Sequence, residues 1–208
     1  MGLKLGGETE GEYTPIPEET YLGTNVAIID LGTQYNQKYK VYRRKVLLMW
    51  EIPDVRAQFE FEGTEYDYPK VVSRQFGATM SKRGHLRPAL ERWEGRTFGV
   101  GEEVELKDYL GTAALIQVVH NKSGERTYSN VGSVSKLLKG MAAPKQETKS
   151  MWFSFDEHET VESVEDVLQD FPDWIEWIVK TVRLATEYEN LQKREIHSEI
   201  AQDDDVPF

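Results

Sequence analysis

Hydrophobic and polar positions follow two different patterns in this chain of 208 residues. In the first part, apolar residues form runs rich in β-branched and aromatic side chains, bounded by Gly, Asn, Asp or Pro, which is typical of strands. The five predicted strands are residues 20–30, 37–51, 70–80, 112–121 and 125–134. After residue 150 the apolar residues recur at helical spacing, first in VESVEDVLQDF and then in the segment that follows Pro172.

Turn-forming and helical segments connect these strands. DLGTQYN at 30–36 contains Gly, Asn and Asp and predicts a turn, and EGTEYDYP at 62–69 predicts a turn or the end of a hairpin. HLRPALERW at 85–93 places large apolar residues at spacings of four and three, which predicts a helix. VELKDYLG at 104–111 predicts a second short helix or a turn, and it ends at a glycine.

The predicted order of elements is strand, strand, strand, helix, strand, strand. The OB-fold, a small five-stranded Greek-key barrel that binds oligonucleotides, has this order, although other small α+β domains share it. We therefore predict a mainly β fold with helices, in which an OB-fold-like five-stranded barrel precedes an α-helical acidic C-terminal region. Trp50 and Trp93 are predicted to lie in the core, because such large side chains are more often buried than used as stacking platforms.

Charge separates a nearly neutral body from an acidic end. The net charge of the whole chain is −11, but residues 1–150 carry +1 and residues 151–208, with 16 acidic and 4 basic side chains, carry −12. The acidic total therefore does not argue against nucleic-acid binding by the body. The predicted parts are an irregular N-terminal segment at 1–19, the barrel at 20–140, a linker at 141–150, an acidic helical region at 151–200 and an acidic tip at 201–208.

The segment YNQKYKVYRRK at 35–45 combines cations with tyrosines and has no acidic residue. Single-stranded nucleic acid is bound by such a mixture, because cations follow the phosphates and aromatic rings stack on any base. Since a barrel interior does not accept a row of cations, 37–44 is predicted to project as a hairpin arm while 46–50 forms a buried wall. A solvated edge strand whose lysines discourage aggregation is the alternative. The candidate DNA-binding residues are Tyr35, Lys38, Tyr39, Lys40, Tyr42, Arg43, Arg44 and Lys45.

A second basic group, SRQFGATMSKRGHLR at 73–87, also has no acidic residue. Its cations and its phenylalanine extend the candidate DNA-binding set, together with one tyrosine from a late strand that could equally belong to the core. These further candidates are Arg74, Phe76, Lys82, Arg83, Arg87 and Tyr128.

The sequence gives little support for an enzyme. The chain has no cysteine, which excludes a thiolate nucleophile and a cysteine-ligated metal, and its four histidines show no ligand spacing. Pro53-Asp54 followed by Glu105-Leu106-Lys107 imitates the Pro-Asp…Glu-x-Lys pattern of metal-dependent nucleases, but so short a pattern arises by chance in charged sequences. We predict a non-catalytic protein with no catalytic residue, no metal and no cofactor.

The last six residues of the sequence, DDDVPF, are unusually specific for a chain end. They resemble the acidic tip of bacterial-type single-stranded DNA-binding proteins, which consists of aspartates followed by a hydrophobic residue, Pro and Phe. In that family the final ring enters an apolar pocket of a replication, recombination or repair protein, and the α-carboxylate and the aspartates meet basic groups. The resemblance implies partner binding by Asp203, Asp204, Asp205, Val206, Pro207 and Phe208, with valine in place of the more usual isoleucine.

The body resembles instead a phage-encoded family of single-stranded DNA-binding or replication-associated proteins. The matching segments are VAIIDLGTQ at 26–34, YRRKVLLMWEI at 42–52, SKRGHLRPALERWEGRTF at 81–98 and VVHNKSGERTYSNVGSVS at 118–135. The resemblance implies an OB-type fold and single-stranded DNA binding, without identifying the contacting residues. Bacterial members have a long flexible linker before the tip, whereas the helical pattern here predicts packing against the barrel or a second subunit by Trp174, Trp177, Ile178, Val182 and Leu184.

We therefore expect a sequence-independent single-stranded DNA-binding protein of phage replication or recombination, located in the cytoplasm of the infected host cell. A homo-oligomer is compatible with the sequence. The alternatives are a strand-annealing recombination protein, the metal-dependent nuclease, and an adaptor whose tip occupies partner pockets without DNA contact. No membrane partner is expected, because the apolar runs are too short to span a bilayer and the N-terminus lacks the apolar core of a signal peptide.

Overall fold

Five long antiparallel strands curl into a nearly closed barrel in the computed structural model, which describes residues 14–61 and 63–203. They are hydrogen-bonded in the order β3-β2-β1-β4-β5, and a short sixth strand pairs in parallel with β1. The mainly β fold with an OB-like barrel is as predicted. The strands are β1 Thr20–Asn36, β2 Val41–Phe61, β3 Thr64–Gly77, β4 Ala113–Ser123, β5 Arg126–Ser135 and β6 Met151–Phe153.

Four α-helices accompany the barrel within the described part of the chain. The predicted helix after β3 is present, and the predicted short helix or turn before β4 is a 3-10 turn at Leu106–Tyr109. The helical segment after Pro172 is divided, since a 3-10 turn at Asp173–Ile175 precedes two separate α-helices. None of the described helices is long and apolar enough to cross a membrane. The α-helices are α1 Leu86–Glu94, α2 Val161–Leu168, α3 Glu176–Arg183 and α4 Thr186–Asp203.

The barrel interior is one hydrophobic core, and α1 packs on it. Trp50 of β2 and Trp93 of α1 are 0% and 5% exposed, and their ring centroids lie 5.5 Å apart, so the prediction that both are core residues is confirmed. Burying a large apolar side chain contributes about 1.5–3 kcal/mol, so these contacts tie α1 firmly to the barrel. The strand residues of this core include Ile28, Val46, Leu48, Val72, Ile116, Val118, Val131 and Val134.

A second hydrophobic core covers the outer face of β1 and β2. Because successive residues of a strand point to opposite faces, Ile29 and Leu47 face away from the barrel interior, where β6 and the three C-terminal helices cover them. The central strands are therefore buried on both faces, which explains their continuous apolar runs VAII and VLLMW. The covering residues include Phe153, Phe155, Val164, Leu168, Ile175, Ile178, Val182 and Leu191.

One sequence prediction was wrong, and the structure specifies two others. The segment 30–36 is not a turn, because β1 continues through it by pairing with the start of β2, and a bulge between Asp30 and Gly32 accommodates the glycine. The segment 62–69 is a hairpin end, as predicted, because β2 ends at Phe61 and β3 begins at Thr64 and pairs with it. Among the C-terminal apolar residues, Ile178 and Val182 pack in the second core as predicted. Trp174, Trp177 and Leu184 are 52%, 45% and 78% exposed in the single chain, so their packing against a second subunit stays a prediction.

Candidate nucleic-acid interface

The β1–β2 hairpin extends beyond the other strands of the barrel. From Thr33 to Asn36, β1 pairs only with β2, and the chain turns at residues 37–40. We call residues 33–45 the arm. The predicted projecting hairpin is confirmed, and residues 46–50 form the buried wall that was expected next to it.

Three exposed tyrosines lie on the arm. Tyr35, Tyr39 and Tyr42 are 49%, 60% and 66% exposed. The rings of Tyr35 and Tyr42 contact each other directly across the two strands, with their centroids 5.0 Å apart. Most of their remaining ring surface faces solvent, so the arm presents aromatic area that the protein itself does not cover.

Cations surround the third tyrosine. Lys38 Nζ lies 5.5 Å and Arg43 Cζ 6.0 Å from the centroid of the Tyr39 ring. Arg43 is paired with Gln34, one position along from the Tyr35–Tyr42 pair, so Arg43 and Tyr42 point to opposite faces of the arm. One face of the arm therefore carries Tyr35 and Tyr42, and the other face carries Arg43 and Lys45. Tyr39 lies at the turn between the two strands.

Among the residues that the structure describes, Arg44 is the arm cation with carboxylate partners. Arg44 Nη2 lies 2.5 Å from Asp30 Oδ2 and 2.9 Å from Asp156 Oδ1. The hydrogen bond from Arg44 to Asp30 raises the pKa of the guanidinium above its ordinary value. Arg44 therefore holds the arm to the barrel, and its charge is largely neutralised.

The junction of α3 and α4 grips the base of the arm. The Glu187 carboxylate accepts hydrogen bonds from Thr33 N and Thr33 Oγ1, both at 2.6 Å, and Gln34 Nε2 donates to Thr181 O at 3.0 Å. Burial alone would raise the pKa of Glu187, but the hydrogen bonds from Thr33 keep it below its ordinary value. The C-terminal helices thus fix the position of the arm.

Gly32 allows this close contact. Its φ of +63° lies in the left-handed region. A Cβ atom at this position would lie 2.5 Å from Ala185 Cβ, 2.7 Å from Glu187 Oε2 and 2.8 Å from Phe155 Cε2. Only a glycine lets β1 approach the C-terminal helices so closely.

The second predicted basic group does not form one surface. Phe76 is a core residue, 3% exposed. Arg87 is buried and donates to Glu91 Oε1 at 3.0 Å and to the backbone oxygen of Phe98. Neither side chain presents a face to a nucleic acid. Lys82 and Arg83 are exposed on the loop that leaves β3 at Ala78, whose N–H donates to Arg44 O at 2.9 Å.

Arg74 joins the two strands at the open side of the barrel. Its Nη1 donates to Val131 O at 3.0 Å and to Gly132 O at 2.7 Å, so a side chain replaces backbone pairing between β3 and β5. Burial, followed by the nearby charge of Arg92, lowers the pKa of Arg74.

Tyr128, the last candidate of the body, is 41% exposed and pairs with Asn121 in the β4–β5 hairpin.

An aromatic cluster on the β2–β3 hairpin was missed by the sequence reasoning. Phe59 and Tyr66 stack with centroids 5.1 Å apart, and Tyr66 and Tyr68 with centroids 6.0 Å apart. The alternation FEF and YDY was the available signal, because alternate residues share one face of a strand. The opposite face of this hairpin carries acidic residues such as Glu65, so the cluster is a poor neighbour for phosphates.

Residues 201–203 of the acidic tip form the end of α4, and the rest of the tip lies outside the part that the structure describes. Asp203 is the last residue of α4. The other tip residues, Asp204, Asp205, Val206, Pro207 and Phe208, lie outside the described residues.

Glu105 and Lys107 of the nuclease-like pattern are engaged in contacts that support the local fold. Glu105 Oε1 accepts from Lys107 N at 3.2 Å, at the start of a 3-10 turn, and Lys107 Nζ lies 3.1 Å from Glu157 Oε1. Asp54 is exposed on β2. Within residues 14–61 and 63–203, no group of three or more His, Asp or Glu side chains is placed to hold a metal ion.

Comparison with known proteins identifies no family: no protein-family model matches the chain, and no curated protein is similar to it.

Proposed function

We propose that the protein binds single-stranded DNA without sequence preference through the arm, and that the tip at 203–208 recruits proteins of replication, recombination or repair. The proposal assigns no catalytic step. The proposed function is that of the phage-encoded single-stranded DNA-binding proteins that the sequence resembles. The observation that carries it is the combination of exposed rings and cations on one projecting hairpin.

The arm offers both kinds of contact that single-stranded DNA requires. Among the described residues, no carboxylate is paired with Lys38, Lys40, Arg43 or Lys45, so these charges are available to phosphates. Lys38 and Arg43 lie over the exposed ring of Tyr39, so the ring and the two cations form one group, which supports base stacking and phosphate contact at the same position. Aromatic stacking tolerates every base, so the arrangement favours binding without sequence preference.

A merely solvated edge strand explains the arm less well. Lysines at an edge prevent aggregation, but the same purpose does not call for three tyrosines that are each about half exposed or more. Exposed aromatic rings work against solubility unless a partner covers them. The hairpin is moreover gripped at its base by Glu187 and Arg44, so its position is fixed while its rings stay open.

A titration of fluorescent oligo-dT at two or more salt concentrations tests the arm. For single strands the logarithm of affinity falls by roughly 0.7 per contacted phosphate for each tenfold rise in salt, so the double variant Arg43→Ala, Lys45→Ala should flatten this slope by about 1.4. Tyr39→Ala should cost about 1–3 kcal/mol of binding free energy and leave the slope nearly unchanged.

Matched controls lie elsewhere on the surface. Tyr68→Ala removes a ring of similar exposure from the β2–β3 hairpin, and Lys139→Ala together with Lys149→Ala removes two exposed cations from the segment between β5 and β6. These variants should bind DNA like the wild type. Equal affinity and equal salt slope in the arm variants and the controls would place the DNA site elsewhere.

A further inference from the structure

A cleft of about 470 Å³ lies where α3 faces the outer surface of the barrel. One wall is β3, with Ser73 and Gln75, and the other is the β4–β5 hairpin, with Asn121 and Asn130. Trp177 of α3 stands at this cleft with 45% of its side chain exposed. No function assigned above uses the cleft.

The chemistry of the lining suits a flat, uncharged, polar ligand. Two asparagines, a glutamine and a serine supply hydrogen-bond donors and acceptors, and the tryptophan supplies an aromatic surface. Arg74 is the one charged residue of the lining, and its Nη1 is engaged by the carbonyl groups of Val131 and Gly132. Side-chain amides and an aromatic ring are the groups with which proteins read the edges and faces of unstacked bases.

The cleft continues the cationic face of the arm. Arg43, Lys45 and Leu47 are alternate residues of β2, so their side chains follow one another on the same face. Leu47 lines the cleft, and its partner across the strands is Gln75, a second lining residue. A strand whose phosphates are held by the two cations is therefore led directly to the cleft.

We infer that this cleft is a nucleobase subsite, in which one base of the bound strand stacks on Trp177 and meets the amides of the cleft walls. The inference rests on the proposed function and adds to it the path of the strand beyond the arm. It also gives a role to α3, which holds a tryptophan in solvent although the opposite side of the same helix, with Ile178 and Val182, is buried.

The neighbouring tryptophan provides a matched control. Trp174 is 52% exposed and lies three residues before Trp177, but it does not line the cleft. Oligo-dT should quench the intrinsic fluorescence of the wild type and of Trp174→Phe, and it should quench Trp177→Phe much less. Trp177→Ala should weaken oligo-dT binding by roughly 5- to 150-fold, the range of one base stack, whereas Trp174→Ala should leave it within about twofold of wild type, as for a residue outside the site.

A second probe separates base contact from a general effect on the fold. A strand of deoxyribose phosphates without bases keeps the phosphate contacts and has nothing to stack. The wild type and Trp177→Ala should bind this strand equally, and circular dichroism should show equal melting temperatures. Thymidine monophosphate, added alone, tests whether the cleft accepts a free nucleotide; strong binding of it would overturn the assignment to a base of a longer strand.

The outcomes separate the inference from the proposed function. If the wild type binds oligo-dT and the two alanine variants lose affinity equally, the subsite is refuted while the arm stands. If Trp177→Ala also loses affinity for the strand without bases, the effect is not stacking, and the subsite is again refuted. If the wild type does not bind oligo-dT at all, the proposed function fails, and the subsite fails with it.

Discussion

Replacing Gly32 by alanine tests whether the C-terminal helices are seated on the base of the arm. The new methyl group would lie too close to three neighbours: 2.5 Å from Ala185 Cβ, 2.7 Å from Glu187 Oε2 and 2.8 Å from Phe155 Cε2. Two of these neighbours, Ala185 Cβ and Phe155 Cε2, belong to buried residues, so neither can move aside freely. The backbone must also keep a φ of +63°, which an alanine adopts only with strain.

The size of the effect follows from these two terms. The left-handed conformation costs an alanine about 1–2 kcal/mol, and an extra methyl group in a filled site costs about 1–3 kcal/mol. We therefore expect the free energy of unfolding to fall by about 2–5 kcal/mol. For a chain of this size each kcal/mol lowers the melting temperature by about 2–4 °C, so a loss on the order of 10 °C is expected.

Thermal unfolding followed by circular dichroism measures this loss, with Gly124→Ala as the control. Gly124 has a φ of +61° but nothing within 4 Å of its ideal Cβ position, so its substitution carries the backbone strain alone. Gly32→Ala should be the more destabilising of the two by about 1–3 kcal/mol. Combining Gly32→Ala with Ala185→Gly should cost less than the sum of the single changes, because the pair shares one contact.

Equal melting temperatures for Gly32→Ala and Gly124→Ala would refute the reasoning. The methyl group would then meet no neighbour in solution, and the C-terminal helices would not be packed against the arm base as the structure has them. Additive effects of the changes at residues 32 and 185 would point the same way.

Two further predictions concern the Glu187 carboxylate at the base of the arm and the acidic tip. Because the pKa of Glu187 is lowered, its ionised form stabilises the fold at neutral pH, and this contribution is lost as the pH falls below about 4.3. The difference in melting temperature between the wild type and Glu187→Gln should therefore be present at pH 7 and shrink in acid. A difference that does not depend on pH would contradict the role of the Glu187 carboxylate at the base of the arm. Deleting residues 204–208 should leave the melting temperature unchanged and raise oligo-dT affinity modestly, most at low salt, because a tethered polyanion competes with DNA for the arm. The deletion should abolish binding to a purified partner that recognises the tip, and Phe208→Ala should weaken that binding nearly as much. Loss of DNA binding on deletion would instead make the tail part of the DNA site.

The strands were predictable where local pattern and tertiary environment agree. The apolar alternation and the turn glycine predict the β4–β5 hairpin, which the structure contains. The helical spacing of Leu86, Leu90 and Trp93 predicts α1, which is also present. The turn prediction at 30–36 failed because Gly32 and Asn36 are turn formers by composition, while pairing with β2 decided the outcome. β6 has only three residues, too few for a pattern.

The candidate site was predictable only as a basic, tyrosine-rich segment. The sequence does not distinguish Arg43 from Arg44, yet one is exposed and the other is held by Asp30 and Asp156, residues far apart in the chain. Arg87 has the appearance of a surface cation and is buried because the backbone oxygen of Phe98 lies within its reach. The sequence predicts packing of Trp177 against the barrel or a second subunit, but helical spacing does not show that the barrel leaves 45% of this residue exposed.

The two-sided burial of β1 has a consequence for the order of synthesis. The ribosome delivers the strands of the barrel first, and the residues that cover Val26, Ile29 and Leu31, from β6 to Leu191, are made afterwards. Once residues 1–140 have left the ribosome, the five long strands can pair, but one face of the central strand is still an open apolar surface. Such a surface attracts chaperones and other unfinished chains, so the barrel becomes safe from aggregation only when α4 arrives.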